Sequence, residues 1–221
     1  MRISLLITLI AFSLAKGSFG QTLAIPHGLY LVDSIVGDLN KDKVSELVVA
    51  YNVGKETKYE GVQRLLVIYK LKNDKWIEWK RSEQALYGSR DGGMMGDPFG
   101  KIEIINGILL ISQSGGSSWK WGFTDKYRYQ NDEFYLIGYT SKSGKICEYW
   151  KDIDYNLSTG KMIIKKEYEL CEGENQEIYK RENETMYQKE LKVIIQNRHK
   201  KEIKIVSPKY GHEIYISTKN G

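Results

Sequence analysis

Residues 37–49 read GDLNKDKVSELVV and hold a dense run of hard oxygen donors. Asp38, Asn40, Asp42 and Glu46 fall at positions 1, 3, 5 and 9 of a short loop, and the backbone carbonyl of Val44 falls at position 7. Calcium takes six to eight oxygens from compact loops, and alternating acidic and amide side chains let a curled backbone aim them at one point. The spacing therefore predicts a calcium site with a structural role. The same residues also suit an Asx-rich polar turn without an ion. The apolar residues from Leu47 onward read as a strand that would pin the loop to a sheet.

Other chemistry is sparse. His27, His199 and His212 form no HExxH or Cys–His pattern, so zinc is not expected. There is no GxSxG elbow, and Ser117–Ser118 reads as a flexible turn. Gly138–Ile146 has the wrong spacing for a phosphate loop. Asp91, Asp97, Asp125 and Glu133 lie near glycine-rich stretches and are the carboxylates from which a glycosidase pair would be drawn. Trp119 and Trp121 share one side of an extended segment. Aromatic faces stack on sugars and anchor interfaces, although such a face also suits a core. Trp119, Trp121, Asp97 and Tyr127 are the candidate binding residues, with Trp119 expected nearest the rim. Cys147 and Cys171 are the only cysteines, and an even pair in an exported chain points to a disulfide.

The elements that must position these groups are strands. Period-two alternation runs through Trp119, Trp121, Phe123, Tyr127 and Tyr129, with Lys120, Thr124, Lys126, Arg128 and Gln130 opposite. Asn131–Asp132, Asn106–Gly107 and Asn73–Asp74 sit between strand-like runs as hairpin turns. Further strands are predicted over 46–53, 64–71, 75–80, 152–156, 161–170, 177–187, 191–195, 202–206 and 213–217. Glu177–Lys192 is the one candidate for a short helix. Gly88–Gly100 and Ser112–Ser118 read as loops at a functional rim. The fold class is all-β and mainly antiparallel: a hairpin meander forming a sandwich or a partial propeller-like sheet assembly.

The acidic loop resembles the calcium-binding loop of FG-GAP or VCBS-type repeats in integrin-like propellers. Asp38, Asn40 and Asp42 match that pattern by type and spacing. Glu46 stands where aspartate is usual, and Lys43 where glycine is usual. One copy covers about sixteen residues, and a propeller needs several blades. Residues 30–165 also resemble a group of exported bacterial proteins with one such loop before an aromatic hairpin. Asp97-Pro98-Phe99, Gly115-Gly116-Ser117, Trp119-Lys120-Trp121 and Thr159-Gly160-Lys161 carry that likeness. It implies a fold and an exported location, and no activity.

Residues 1–20 read as a secretory signal peptide: Arg2, an apolar run over Ile3–Ala15, then small residues closing at Ser18 and Gly20. A single β-rich domain is expected over 21–221, with a soft boundary near 88–93. No later run is long enough for a membrane-spanning helix. The chain has 33 Lys and Arg against 28 Asp and Glu; without Arg2 and Lys16 the balance is 31 against 28. These charges are mixed in sign, and Arg198–Lys201 reads as a solvated turn, so no nucleic-acid partner is expected. The sequence supports an exported (periplasmic or secreted), calcium-stabilised binding or envelope-associated protein without catalytic activity, with a protein or glycan partner. A carboxylate-dependent glycan or peptidoglycan hydrolase and a periplasmic enzyme inhibitor are the alternatives.

Overall fold

Two-residue turns organise the molecule. Asn73 and Asp74, Asn106 and Gly107, and Asn131 and Asp132 all have positive φ, between 48° and 76°. That is the conformation whose twist matches a tight antiparallel hairpin. The computed structural model describes residues 23–58, 60–172, 175–189 and 191–218. The expected leader at 1–20 lies outside them.

The chain is all-β, with antiparallel sheets in meander order. Strands β1 (Leu29–Gly37), β2 (Glu46–Val53), β3 (Arg64–Lys72) and β4 (Lys75–Ser82) form a four-stranded sheet in sequence order. A second sheet holds β5 (Phe99–Ile105), β6 (Ile108–Gly116), β7 (Lys120–Gln130), β8 (Glu133–Lys145), β9 (Tyr149–Asn156), β10 (Lys161–Glu172) and β11 (Asn175–Tyr187), again in order. A final hairpin pairs β12 (Ile203–Val206) with β13 (Glu213–Ser217). Residues 88–93 lie in the connection between the two larger sheets.

One hydrophobic cluster spans them. Val48, Ala50, Leu66 and Ile68 of the first sheet join Leu109, Ile111, Tyr127, Phe134 and Leu136 of the second. Each fully buried aliphatic side chain contributes on the order of 1.5–3 kcal/mol. The other side of β2 and β3, with Leu47, Val49, Tyr51, Leu65, Val67 and Tyr69, is buried as well. This explains why both strands read as unbroken apolar runs.

Three expectations need correction. Of the two readings of 177–187, strand and short helix, the helix fails: the residues are part of β11. Every second side chain there (Glu182, Glu184, Met186) turns inward, and pairing with β10 overrides the helix propensity of the segment. Ser112–Gly116 is not loop but the end of β6, paired with β7. Residues 191–195 form only an isolated bridge at Ile194 before a 3₁₀ turn over Ile195–Asn197.

Candidate functional site

The pairing register lays side chains in rows across the inward side of the seven-stranded sheet. Asp125, Tyr139, Tyr155 and Met162 make one row. The next is Gln113, Phe123, Ser141, Ile153 and Ile164. Beyond it lie Gly115, Trp121, Ser143, Lys151 and Lys166. The face thus runs from sealed core to partly open, polar ground. At the change stands a cleft of about 370 Å³, walled by Tyr87, Trp121, Phe123, Tyr139, His199 and Tyr215 among others.

Tyr87 comes from the β4–β5 connection, Trp121 and Phe123 from β7, Tyr139 from β8, and Tyr215 from β13. The rings support one another. Tyr87 stacks on His199 at 4.5 Å between centroids and meets Trp121 and Phe123 edge-on at 5.7 and 5.9 Å. Trp121 and Phe123 lie nearly parallel, 17° apart. Gly115 faces Trp121, where a Cβ would come within 2.6 Å of the indole; no larger residue fits without displacing the ring. Among the polar wall residues are Ser141, Ser143, Thr218, Lys151 and a single carboxylate, Asp91, which accepts the Gly88 N–H.

A fully buried ion pair underlies the cleft. Arg198 donates to Asp125 from Nε at 2.6 Å and Nη2 at 3.0 Å, and Tyr127 donates its hydroxyl to the same carboxylate at 3.0 Å. Burial opposes the Arg198 charge, but Asp125 more than offsets it, so the guanidinium pKa is raised. Burial, then the Asp125 charge, raises the Tyr127 phenol well above its ordinary range. The neighbouring His199 is 1% exposed, and burial followed by the Arg198 charge lowers its pKa to about 2, so it is neutral at physiological pH. Lys151 donates to the Glu213 carbonyl at 2.7 Å; burial, then the charge of Lys166, lowers its pKa.

The residues singled out in the sequence fall in different places. Trp121 lines the cleft. Trp119, expected nearest the rim, is 41% exposed and packs beside Tyr149 outside the cleft. Tyr127 is fully buried and belongs to the core, which removes it as a binding residue. Asp97 binds Arg64 through both carboxylate oxygens and accepts the Phe99 N–H, away from the cleft. Arg198–Lys201 is not a solvated turn: Arg198 and His199 are buried, and only Lys200 and Lys201 face solvent. Tyr87, Lys151, Arg198 and His199 were not singled out in the sequence. The one local signal was Asp125, a charge on the buried stripe between Phe123 and Tyr127, which demands a partner. Cys147 and Cys171 are disulfide-bonded across 24 residues, tying the β8–β9 turn to β10, an arrangement compatible with export. The closed loop is worth roughly 3 kcal/mol in the chain-entropy account.

The acidic loop is curled by its own side chains. Asp38 accepts the N–H groups of Lys41 and Lys43 at 2.6 and 2.9 Å, Asn40 that of Asp42 at 2.9 Å, and Asp42 that of Val44 at 2.8 Å. Lys41 and Lys43 have φ of 65° and 70°. Lys43 thus adopts the left-handed backbone for which glycine is favoured. Glu46 is buried and turns back to accept the Leu39 N–H at 2.8 Å. Burial raises the Glu46 pKa, with the charges of Asp42 and Asp38 adding to it. Among the described residues, no group of three or more His, Cys, Asp or Glu side chains is arranged to hold a metal.

Fold and site together define a class: an antiparallel β-protein of two large sheets and a closing hairpin, with an aromatic cleft where its inner face emerges. No protein-family model matches the chain, and no curated protein is significantly similar to it. No helix among the described residues is long and apolar enough to cross a membrane.

Proposed function

We propose that the protein is an exported binding module that holds its ligand in the Trp121 cleft and performs no chemistry on it. The observation that carries this reading is the convergence of five aromatic rings, from four separate segments, on one partly open cavity. Aromatic walls with a few hydroxyls are the composition of a recognition pocket. A hydrolase has weaker support. Asp97, Asp125 and Glu133 are engaged by Arg64, Arg198 and Lys80, leaving Asp91 as the cleft's carboxylate. The test is Trp121→Ala, with binding to envelope glycans and envelope proteins measured by calorimetry. The variant keeps its fold and loses at least tenfold in affinity, as removal of an aromatic anchor does. Unchanged binding would remove the cleft as the ligand site.

Calcium at the Asp38 loop is part of the same proposal, in the FG-GAP-like manner. The donor set of two aspartates, an asparagine, the Val44 carbonyl and Glu46 suits a hard cation. Oxygens that accept one loop N–H keep a second lone pair. A bound cation also offsets the crowding of negative charge that adds to the raised pKa of Glu46. Its role is to hold the loop at the head of β2.

The inhibitor reading has one observation of its own. Met94 is 89% exposed at the tip of a 3₁₀ turn, Gly93–Met95, held by the Gly92–Gly96 and Gly116–Gly92 backbone hydrogen bonds. A rigid apolar tip is the shape that blocks an active site. Met94→Ser tests it: captured envelope hydrolases escape the variant if the tip is the inhibitory element.

A further inference from the structure

The cleft reading leaves the ligand's chemical class open, and the charges around the cavity narrow it. Lys151 lines the cleft, and Lys166 stands next to it in the same row across the sheet. Lys166 Nζ lies over the Tyr149 and Tyr168 rings, outside the cleft, so Lys151, which holds one backbone carbonyl and keeps further N–H donors, is the cation that an anion in the cleft would meet. The opposing charge on the wall is small. Asp91 is exposed and holds a backbone N–H, while Asp125 is neutralised by Arg198. Deeper in, His199 is a wall residue with its Nε2 buried and without a hydrogen-bond partner among the described residues. Buried polar groups left unpaired at a cavity mark a place where a ligand or water supplies the missing partner. The remaining wall offers aromatic faces and the hydroxyls of Ser141, Ser143 and Thr218.

We infer that the cleft takes an acidic sugar, with a ring C–H face against Trp121, hydroxyls toward Ser141, Ser143 and Thr218, and a carboxylate drawn to Lys151. This rests on the binding-module reading above. An aromatic acid would use the stacking surface and the cation but offer nothing to the Ser143 hydroxyl, whereas the Thr218 hydroxyl already meets that of Tyr87 at 2.9 Å. A neutral sugar would leave Lys151 without an ion-pair partner inside the cleft, its Nζ hydrogen bond going to the Glu213 backbone carbonyl.

The test uses three probes on the leaderless chain, by calorimetry or NMR shift titration. N-acetylmuramic acid and N-acetylglucosamine share a ring and differ by a carboxylate-bearing ether. Indole-3-acetate is an acid without sugar hydroxyls. The acidic sugar binds at least tenfold more tightly than the neutral one, and the advantage shrinks with added salt. Lys151→Met removes the advantage but keeps residual sugar binding, and the melting temperature confirms that the variant is folded. Trp121→Ala weakens both sugars. Equal binding of the two sugars, with both lost in Trp121→Ala, overturns the acidic class and spares the cleft. Tighter binding of indole-3-acetate than of either sugar overturns the sugar class. Absence of binding by all three probes at millimolar concentration overturns the inference, whatever Trp121→Ala does to binding of other envelope components.

Discussion

The acidic loop and the aromatic cleft are built in opposite ways. Residues 38–46 close on themselves through hydrogen bonds spanning two to seven positions. The cleft is assembled across the whole fold. Its base joins Asp125 to Arg198 over 73 residues, and Tyr87 meets Thr218 over 131. A site coded in consecutive residues stands or falls with a local turn. A site coded by tertiary pairing stands or falls with global stability. The largest difference in response should therefore appear when each is cut at its centre.

Arg198→Met does this for the cleft. It leaves Asp125 buried without its cation, and breaking such a pair costs about 3–5 kcal/mol. Urea unfolding should show the loss as a lower midpoint with an unchanged slope. The companion Asp125→Leu/Arg198→Met protein should recover most of it, because well-packed apolar replacements of a buried pair are often neutral. A single variant within 1 kcal/mol of the parent would mean that the pair does not hold the cleft's base.

The loop should respond less, and only to calcium. Ligand that binds the folded state alone stabilises it by about 2.7 kcal/mol at a hundredfold excess over Kd. Thermal melts with calcium and with EDTA should differ by that order in the parent and not in Asp38→Asn/Asp42→Asn. The Arg198→Met protein should keep the full calcium increment, since loop and cleft share no residue. A parent that melts identically with calcium and EDTA would reduce the loop to a self-capped turn.

The same contrast explains what could be read in advance. The Asn73–Asp74, Asn106–Gly107 and Asn131–Asp132 turns, and the strands beside them, were legible because turn type is set by two adjacent residues. Trp121 was legible as an inward ring by alternation alone. That it borders an opening, while Tyr127 six residues on is sealed, depends on where the four-stranded sheet ends, and no local pattern encodes that. The strand expected to end at Tyr139 runs on to Lys145; residues 141–145 were not read as strand because Ser, Lys and Gly replace β-branched residues there. They serve as the polar end of β8, where the inner face leaves the core. Arg198 looked like part of a basic turn because its acid is supplied by β7.

The smallest effect separates the two regions by pH. The folded-state pKa of His199 is about 2, against roughly 6.5 for an unperturbed histidine. Below pH 6.5 the unfolded chain takes up a proton that the folded one refuses. The stabilisation is therefore complete above pH 6.5 and is lost as pH falls from there toward 2. The slope is about 1.4 kcal/mol per pH unit for one such group. His212 is shifted in the same direction, by burial first. The carboxyls with lowered pKa, such as Asp42 and Asp97, add to the loss only nearer pH 4. Glu46, shifted upward, works the other way: the folded state binds its proton more readily, so it offsets part of the loss in acid. Between pH 6.5 and 5 the decline in unfolding free energy should therefore come mainly from the cleft side. His199→Phe, which keeps a ring against Tyr87, should flatten the decline in that interval by about one proton's worth, while Glu46→Gln, which removes an offset, should not flatten it. The reverse outcome, with the decline flattened by Glu46→Gln and not by His199→Phe, would place the acid-sensitive element in the loop and overturn the assignment of His199 as a neutral wall of the cleft.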